Sequence, residues 1–176
     1  MNPSSVIFNA NPNFRFLQVF LENPFLVDGH SFDIGIYVLI TSIDPLRIYR
    51  YKRENLFRFC PEPYHPFNPN NHKKFIVQED HISFWEMKVF KDLALKFNFS
   101  QSEIFKLYLR QNGCDPEELW TKFDEAISTV MLLRVSHVIE VLNTECKIFN
   151  CTNDNFFELV RFDFMIDDQC EVSNHF

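Results

Sequence analysis

Hydrophobic and polar positions fall along this chain in three regimes: short stretches of period two, a proline-broken interval, and a long run of helical period. Phe16–Phe20 is a short apolar run, expected as a strand and stopped by Leu21-Glu22-Asn23-Pro24. Asp28-Gly29 carries tight-turn chemistry. Phe32 to Thr41 (FDIGIYVLIT) is dense enough in β-branched and aromatic residues to predict a strand buried on both faces. Asp44-Pro45 then turns the chain. Leu46–Tyr51 alternates apolar and basic side chains, which predicts a half-exposed strand antiparallel to the one before it, and Leu56–Phe59 adds a further short strand. Pro61, Pro63, Pro66 and Pro69, with the asparagines around them, exclude regular structure from Cys60 to Lys74 and leave a loop of about 15 residues.

The second half is better punctuated. Ser100 with Glu103 three positions on is a capping box, and Gly113 is a stop, so a helix is predicted between them. Asp115-Pro116-Glu117-Glu118 repeats the signal, with Asp as cap and Pro at the first helical position. Apolar residues then recur at helical spacing from Leu119 through Phe123, Ile127, Met131 and Val138 to about Leu142. Phe156–Ile166 (FFELVRFDFMI) returns to alternation, Asp167-Asp168 is a turn, and Cys170-Glu171-Val172 begins a return strand. Strands, then helices, then strands imply an α+β domain over residues 1–176, an antiparallel-rich sheet with packed helices.

Composition narrows the function classes. Seventeen Lys and Arg against 24 Asp and Glu give a net charge of −7, which argues against nucleic acid or an anionic membrane as partner. No apolar run reaches the ~20 residues of a membrane span. The 22 phenylalanines carry apolar area without a polar handle, so most of the rings are expected inside. The five cysteines are an odd number, scattered and without a C-x-x-C pair, and the start lacks a signal-peptide layout, which points to a cytoplasmic protein. The histidines are equally dispersed, so no zinc-type cluster is expected.

Three segments in order carry a family resemblance: QVFLENPFLVDGHSFDIGIYVLITSIDPLRIYRY (Gln18 to Tyr51), LFRFCPEPY (Leu56 to Tyr64) and FFELVRFDFMIDD (Phe156 to Asp168). Together they resemble the nucleotide-binding stretch, the following strand and loop, and the metal-site hairpin of the tubulin tyrosine ligase-like proteins. The resemblance implies an ATP-grasp fold, here its C-terminal lobe only, without the N-terminal lobe and the final strand of the metal-site hairpin. It further implies ATP and Mg²⁺ as cofactors, tubulin as partner, and a cytoplasmic, microtubule-associated place of action. The implied reaction activates a carboxylate as an acyl-phosphate, which an amine then attacks, adding tyrosine, glutamate or glycine to tubulin.

Carried over position by position, Gln18, Val19, Phe20 and Leu21 match the hinge segment that faces adenine; a plain buried strand is the alternative. Asp33 matches an acid facing the active site, although an Asp in an apolar run also needs a partner on structural grounds alone. Arg58 matches a phosphate- or substrate-facing arginine, or else is an exposed sheet residue like Arg47 and Arg50. Asp163 matches the first Mg²⁺-binding acid, or else points outward on an alternating strand. Two positions depart from the family pattern Lys-Phe-Asp-x-Arg: the chain reads Ser31-Phe32-Asp33-Ile34-Gly35, and neither Ser nor Gly can neutralise a phosphate. The second metal element, Glu-x-Asn, is not recognisable after Asp163. The expectation is a chain inactive alone; the alternative is a non-catalytic pseudo-ligase that binds nucleotide or protein. Arg47, Arg50, Lys52, Arg53 and Arg58 form an expected basic cluster for acidic tubulin tails, or the cationic protection of a strand edge.

Overall fold

The computed structural model describes residues 20–52, 54–97, 99–149 and 157–172. Five strands and three helices follow in chain order: β1 (Phe32–Ile43), β2 (Leu46–Arg50), β3 (Leu56–Phe59), β4 (Ile82–Ser83), α1 (Lys88–Lys96), α2 (Gln101–Gln111), α3 (Pro116–Phe149) and β5 (Glu158–Phe164). All strand pairings are antiparallel. β1 is the axis of the sheet, because it is long enough to serve three partners. β5 lies along one edge (Gly35 opposite Asp163, Tyr37 opposite Arg161), while β3 and β2 share the other, end to end (Asp33 opposite Arg58, Leu39 opposite Tyr49). β4 extends the sheet beyond β3. The register of β1 against β2 shifts between Ile40 and Ser42.

Period-two alternation gives β1 two unlike faces. Phe32, Ile34, Ile36, Val38 and Ile40 enter one buried cluster with residues of the helices. Asp33, Gly35, Tyr37 and Leu39 point the other way. The expected burial on both faces holds only for the first part of the strand; from Tyr37 onward buried and exposed residues alternate. The reason is coverage: the helices pack against one face, and Tyr37, Leu39, Tyr49 and Leu159 are left exposed on the other.

The covered face is cemented by aromatic rings. Phe105 of α2 meets Phe57 of β3 at 4.4 Å between ring centres, Phe84 stacks on Phe90 at 4.0 Å, and Phe123 of α3 meets Phe164 of β5 at 4.6 Å. Phe57, Phe59, Phe84, Phe90, Phe105 and Phe123 are all fully buried, as expected for rings that have no polar atom to satisfy.

The helix punctuation is read out as spelled. The Glu103 carboxylate accepts from the Ser100 backbone N–H at 2.7 Å, and Ser100 Oγ accepts from Glu103 N–H, closing the capping box of α2. Asp115 Oδ1 accepts from Glu117 N–H at 2.9 Å at the start of α3. α3 continues beyond Leu142 to Phe149; its buried residues end at Met131, and Leu132, Leu133, Ile148 and Phe149 are exposed.

Several expectations are corrected. α1 was not foreseen: the Ser83–Glu86 box caps a single 3₁₀ turn, Phe84–Glu86, and α1 follows Met87, whose side chain offers no cap; Asp28 Oδ2 accepts from Val89 N–H in its first turn at 3.1 Å, and Phe90 and Leu93 are buried. Of the expected strand Phe16–Phe20, only Phe20 lies among the described residues, and it is not in a strand. The return strand at Cys170–Val172 shrinks to one bridge, Ile166 opposite Val172. Cys114 and Cys170, expected as scattered thiols, are joined as a disulfide with Cα atoms 5.8 Å apart. The proline-rich interval is irregular apart from a 3₁₀ turn at His72–Lys74, and it is anchored: Tyr64 is buried and its hydroxyl donates to the Glu22 carbonyl at 2.8 Å. No helix among the described residues is long and apolar enough to cross a membrane.

Candidate functional site

The uncovered face of the sheet gathers side chains from three separate strands. Asp33 on β1 and Arg58 on β3 are direct cross-strand neighbours. Arg58 grips Asp33 with two parallel bonds, Nη2 to Oδ2 at 2.6 Å and Nε to Oδ1 at 2.9 Å. The same Nη2 reaches across β1 to Asp163 Oδ2 on β5 at 3.0 Å. Arg161, two residues earlier on the same face of β5, donates Nε to Asp163 Oδ1 at 2.7 Å and Nη2 to Asp163 Oδ2 at 3.0 Å. The result is a planar-fork network of two carboxylates and two guanidiniums, with no net charge.

Depth differs across it. The Asp33 and Arg58 side chains are 13% and 18% exposed, those of Arg161 and Asp163 34% and 37%. Burial therefore pushes the Asp33 carboxyl above its ordinary value, while the hydrogen bond and charge of Arg58 pull it back. Hydrogen bonds to Asp163 and Tyr37 hold the Arg161 proton still more firmly than usual. Beside the cluster, the buried Cys60 thiol is pushed up to about 12, first by burial and then by the Asp33 charge, so it is not a nucleophile at neutral pH.

Gly35 forms the floor. A Cβ there would stand 2.9 Å from Arg161 Cδ, 3.1 Å from Asp163 Oδ1 and 3.2 Å from Leu56 Cβ. The missing side chain is thus the space in which Arg161 and Asp163 lie. Ser31, one of the two positions that depart from the family pattern, is fully buried, and its hydroxyl has no hydrogen-bond partner among the described residues. Farther along the same face, Tyr37, Leu39, Tyr49, Tyr51 and Leu159 are among the residues that line a shallow depression of about 510 Å³.

The structure thus brings Asp33, Arg58 and Asp163 together. It places Phe20 elsewhere, in an aromatic cluster with Phe67 and Phe75 at 5.4 Å from each, with Leu21 half-buried next in the chain. Gln18 and Val19 lie outside the described residues. The basic cluster expected on one hairpin is dispersed: Arg58 belongs to the network, Arg50 Nη2 donates to Asp124 of α3 at 3.0 Å, Arg47 and Lys52 are exposed, and Arg53 lies outside the described residues. Arg161 was not singled out from the sequence. Its signal was local, since Arg161 and Asp163 are two apart on an alternating strand, but its place depends on Gly35, the residue opposite Asp163, which leaves room for its stem.

The donor set suits an anion better than a metal. Guanidiniums fixed from below by carboxylates keep free N–H groups for phosphate-type oxygens. Mg²⁺ is held by carboxylate oxygens, and every Asp33 and Asp163 oxygen already accepts from an arginine, so a metal here shares these oxygens with the guanidiniums. Among the described residues no three His, Cys, Asp or Glu side chains gather into a metal site. Asp163, the acid that the resemblance gives to Mg²⁺, is here the shared partner of Arg58 and Arg161.

An α+β domain with an open antiparallel sheet, three helices on one face and a charged network on the other is consistent with part of an ATP-grasp ligase domain. The sequence model of the tubulin-tyrosine ligase family matches residues 3–173, and the chain belongs to that family. It is similar to a probable tubulin polyglutamylase, ttll-15 of Caenorhabditis elegans, with 38% identity over 93% of this chain and 31% of the relative. It is also similar to the tubulin polyglutamylase TTLL6 of Mus musculus, 29% identical over 85% of this chain and 18% of the relative. A probable beta-tubulin polyglutamylase of Tetrahymena thermophila is 30% identical over 90% of this chain and 14% of the relative. The chain spans less than a third of the length of each of these relatives.

Proposed function

We propose that this chain provides the nucleotide-facing wall of an ATP-dependent ligase that adds glutamate to tubulin, and that by itself it binds nucleotide without transferring glutamate. The observation that carries the reading is the convergence of Asp33, Arg58 and Asp163, from three distant segments, in one hydrogen-bonded network on the uncovered sheet face. The relatives' names supply the substrate class, glutamate and tubulin. Arg58 faces the phosphates, Asp33 orients it, and Asp163 completes the wall. ATP, when bound, supplies the activating phosphoryl group for the acceptor carboxylate. Microtubules in the cytoplasm are the place of action this implies.

The absence of transfer rests on the same network. Both acids are paired with arginines, which weakens their hold on Mg²⁺ against phosphate oxygens, and no step is assigned to the metal. Incubating the full chain with ATP, tubulin and labelled glutamate, alongside a direct ATP-binding titration, tests both halves. Saturable ATP binding without incorporation above a nucleotide-free blank is the expected result. ATP-dependent incorporation would overturn the inactivity, and no ATP binding at all would overturn the nucleotide wall.

A further inference from the structure

Of the two guanidiniums in the network, Arg161 has the more freedom to meet a ligand. Its stem lies over Gly35, where a Cβ would come within 2.9 Å, and its Nε and Nη2 are pinned on Asp163. Arg161 Nη1 and the second N–H of Nη2 take no part in those two bonds. The side chain is 34% exposed on the uncovered face, against 18% for Arg58, so the outer cation of the network is Arg161. Tyr37 lies opposite it in the sheet register. A cation pinned by a forked pair and open toward solvent is preorganised for an anionic oxygen, with little rotamer entropy left to lose.

Position 35 is also where the family pattern places an arginine and this chain has glycine. We infer that Arg161 is a second phosphate-contacting cation of this chain, beside Arg58: β5 delivers across the strand pair the charge that β1 lacks, and Gly35 is the vacancy that admits it. The ligand class is a nucleotide triphosphate, so the inference rests on the nucleotide-wall reading above. It makes a reciprocal demand on the two positions. An arginine at either 35 or 161 satisfies the site, arginines at both collide, and arginine at neither leaves Asp163 without its main partner.

Calorimetric titration of the full chain with ATP, and separately with inorganic tripolyphosphate, tests this, with the thermal melt of each variant recorded. Arg161→Gln is expected to weaken both ligands by about tenfold or more, the loss of one charge-assisted contact. Arg161→Lys recovers part of the affinity, since charge returns without the fork. The double exchange Gly35→Arg with Arg161→Gly restores binding to within a few-fold, whereas Gly35→Arg alone lowers the melting temperature through the collision with Arg161. If Arg161→Gln folds and binds ATP as tightly as the natural chain, the inference is overturned and the nucleotide wall stands. If the natural chain binds neither ligand, both are overturned.

Discussion

The two faces of one sheet obey different rules in this protein. On the helix-covered face, β1 contributes Ile34, Ile36 and Val38 to a cluster with Phe57, Phe105 and Phe123, where area removed from water dominates and directionality matters little. On the uncovered face the same strand contributes Asp33, Gly35 and Tyr37, and there the arrangement is fixed by forked hydrogen bonds and by the lack of one Cβ. Neighbouring residues of a single strand therefore divide labour between stability and recognition. The lesson is that exposure on the second face is graded: the network half is shielded by its own ion pairs, and the Tyr49–Leu159 half is bare.

The comparison is most severely tested by matched truncations. Phe105→Ala removes a fully buried ring and is expected to cost about 3–5 kcal/mol. Leu159→Ala on the bare half is expected to stay within about 0.5 kcal/mol. Urea unfolding of both variants measures the gap, and equal losses would mean that the uncovered face is packed in solution. Arg58→Ala comes next. It strands the mostly buried Asp33 carboxylate, and a loss of about 3 kcal/mol is expected in the same assay. A negligible loss would show that the network contributes no order to its half of the sheet.

The smallest effect belongs to the helix caps. Glu103 is held below its ordinary value of 4.5 by hydrogen bonds from the Ser100 side chain and backbone. A carboxylate whose proton affinity is lower in the folded state adds stability above the unfolded-state value and loses it as pH falls through the folded one. Glu103→Gln should thus be less stable than the natural chain at pH 7, and the two should converge as pH drops below about 4. Parallel curves over that range would contradict the capping assignment.

What the sequence made legible was local. Ser100 with Glu103 and Asp115 with Pro116 announce their helices because a cap needs only its own turn, and β1 shows in its density of β-branched and aromatic residues. α1 did not show, since Met87 before it gives no capping signal and the carboxylate that meets its first turn, Asp28, is 61 residues away. The network showed in part: Asp33, Arg58 and Asp163 were each recognisable in a family-like segment, but the fork of Arg161 depends on the register of β5 against Gly35, a relation across more than 120 positions of chain. The Cys114–Cys170 bond was hidden for the same reason, a partner 56 residues away.

The central claim, that the uncovered face is the one that meets the nucleotide, is tested most directly by the side-chain Nε–H resonances of arginine during an ATP titration. Arg58 and Arg161 lie on that face, whereas Arg50 is engaged with Asp124 of α3. The expected result is a saturable shift of the Arg58 and Arg161 signals with Arg50 unmoved. A shift confined to Arg50, or none at any of the three while ATP binds, would contradict it.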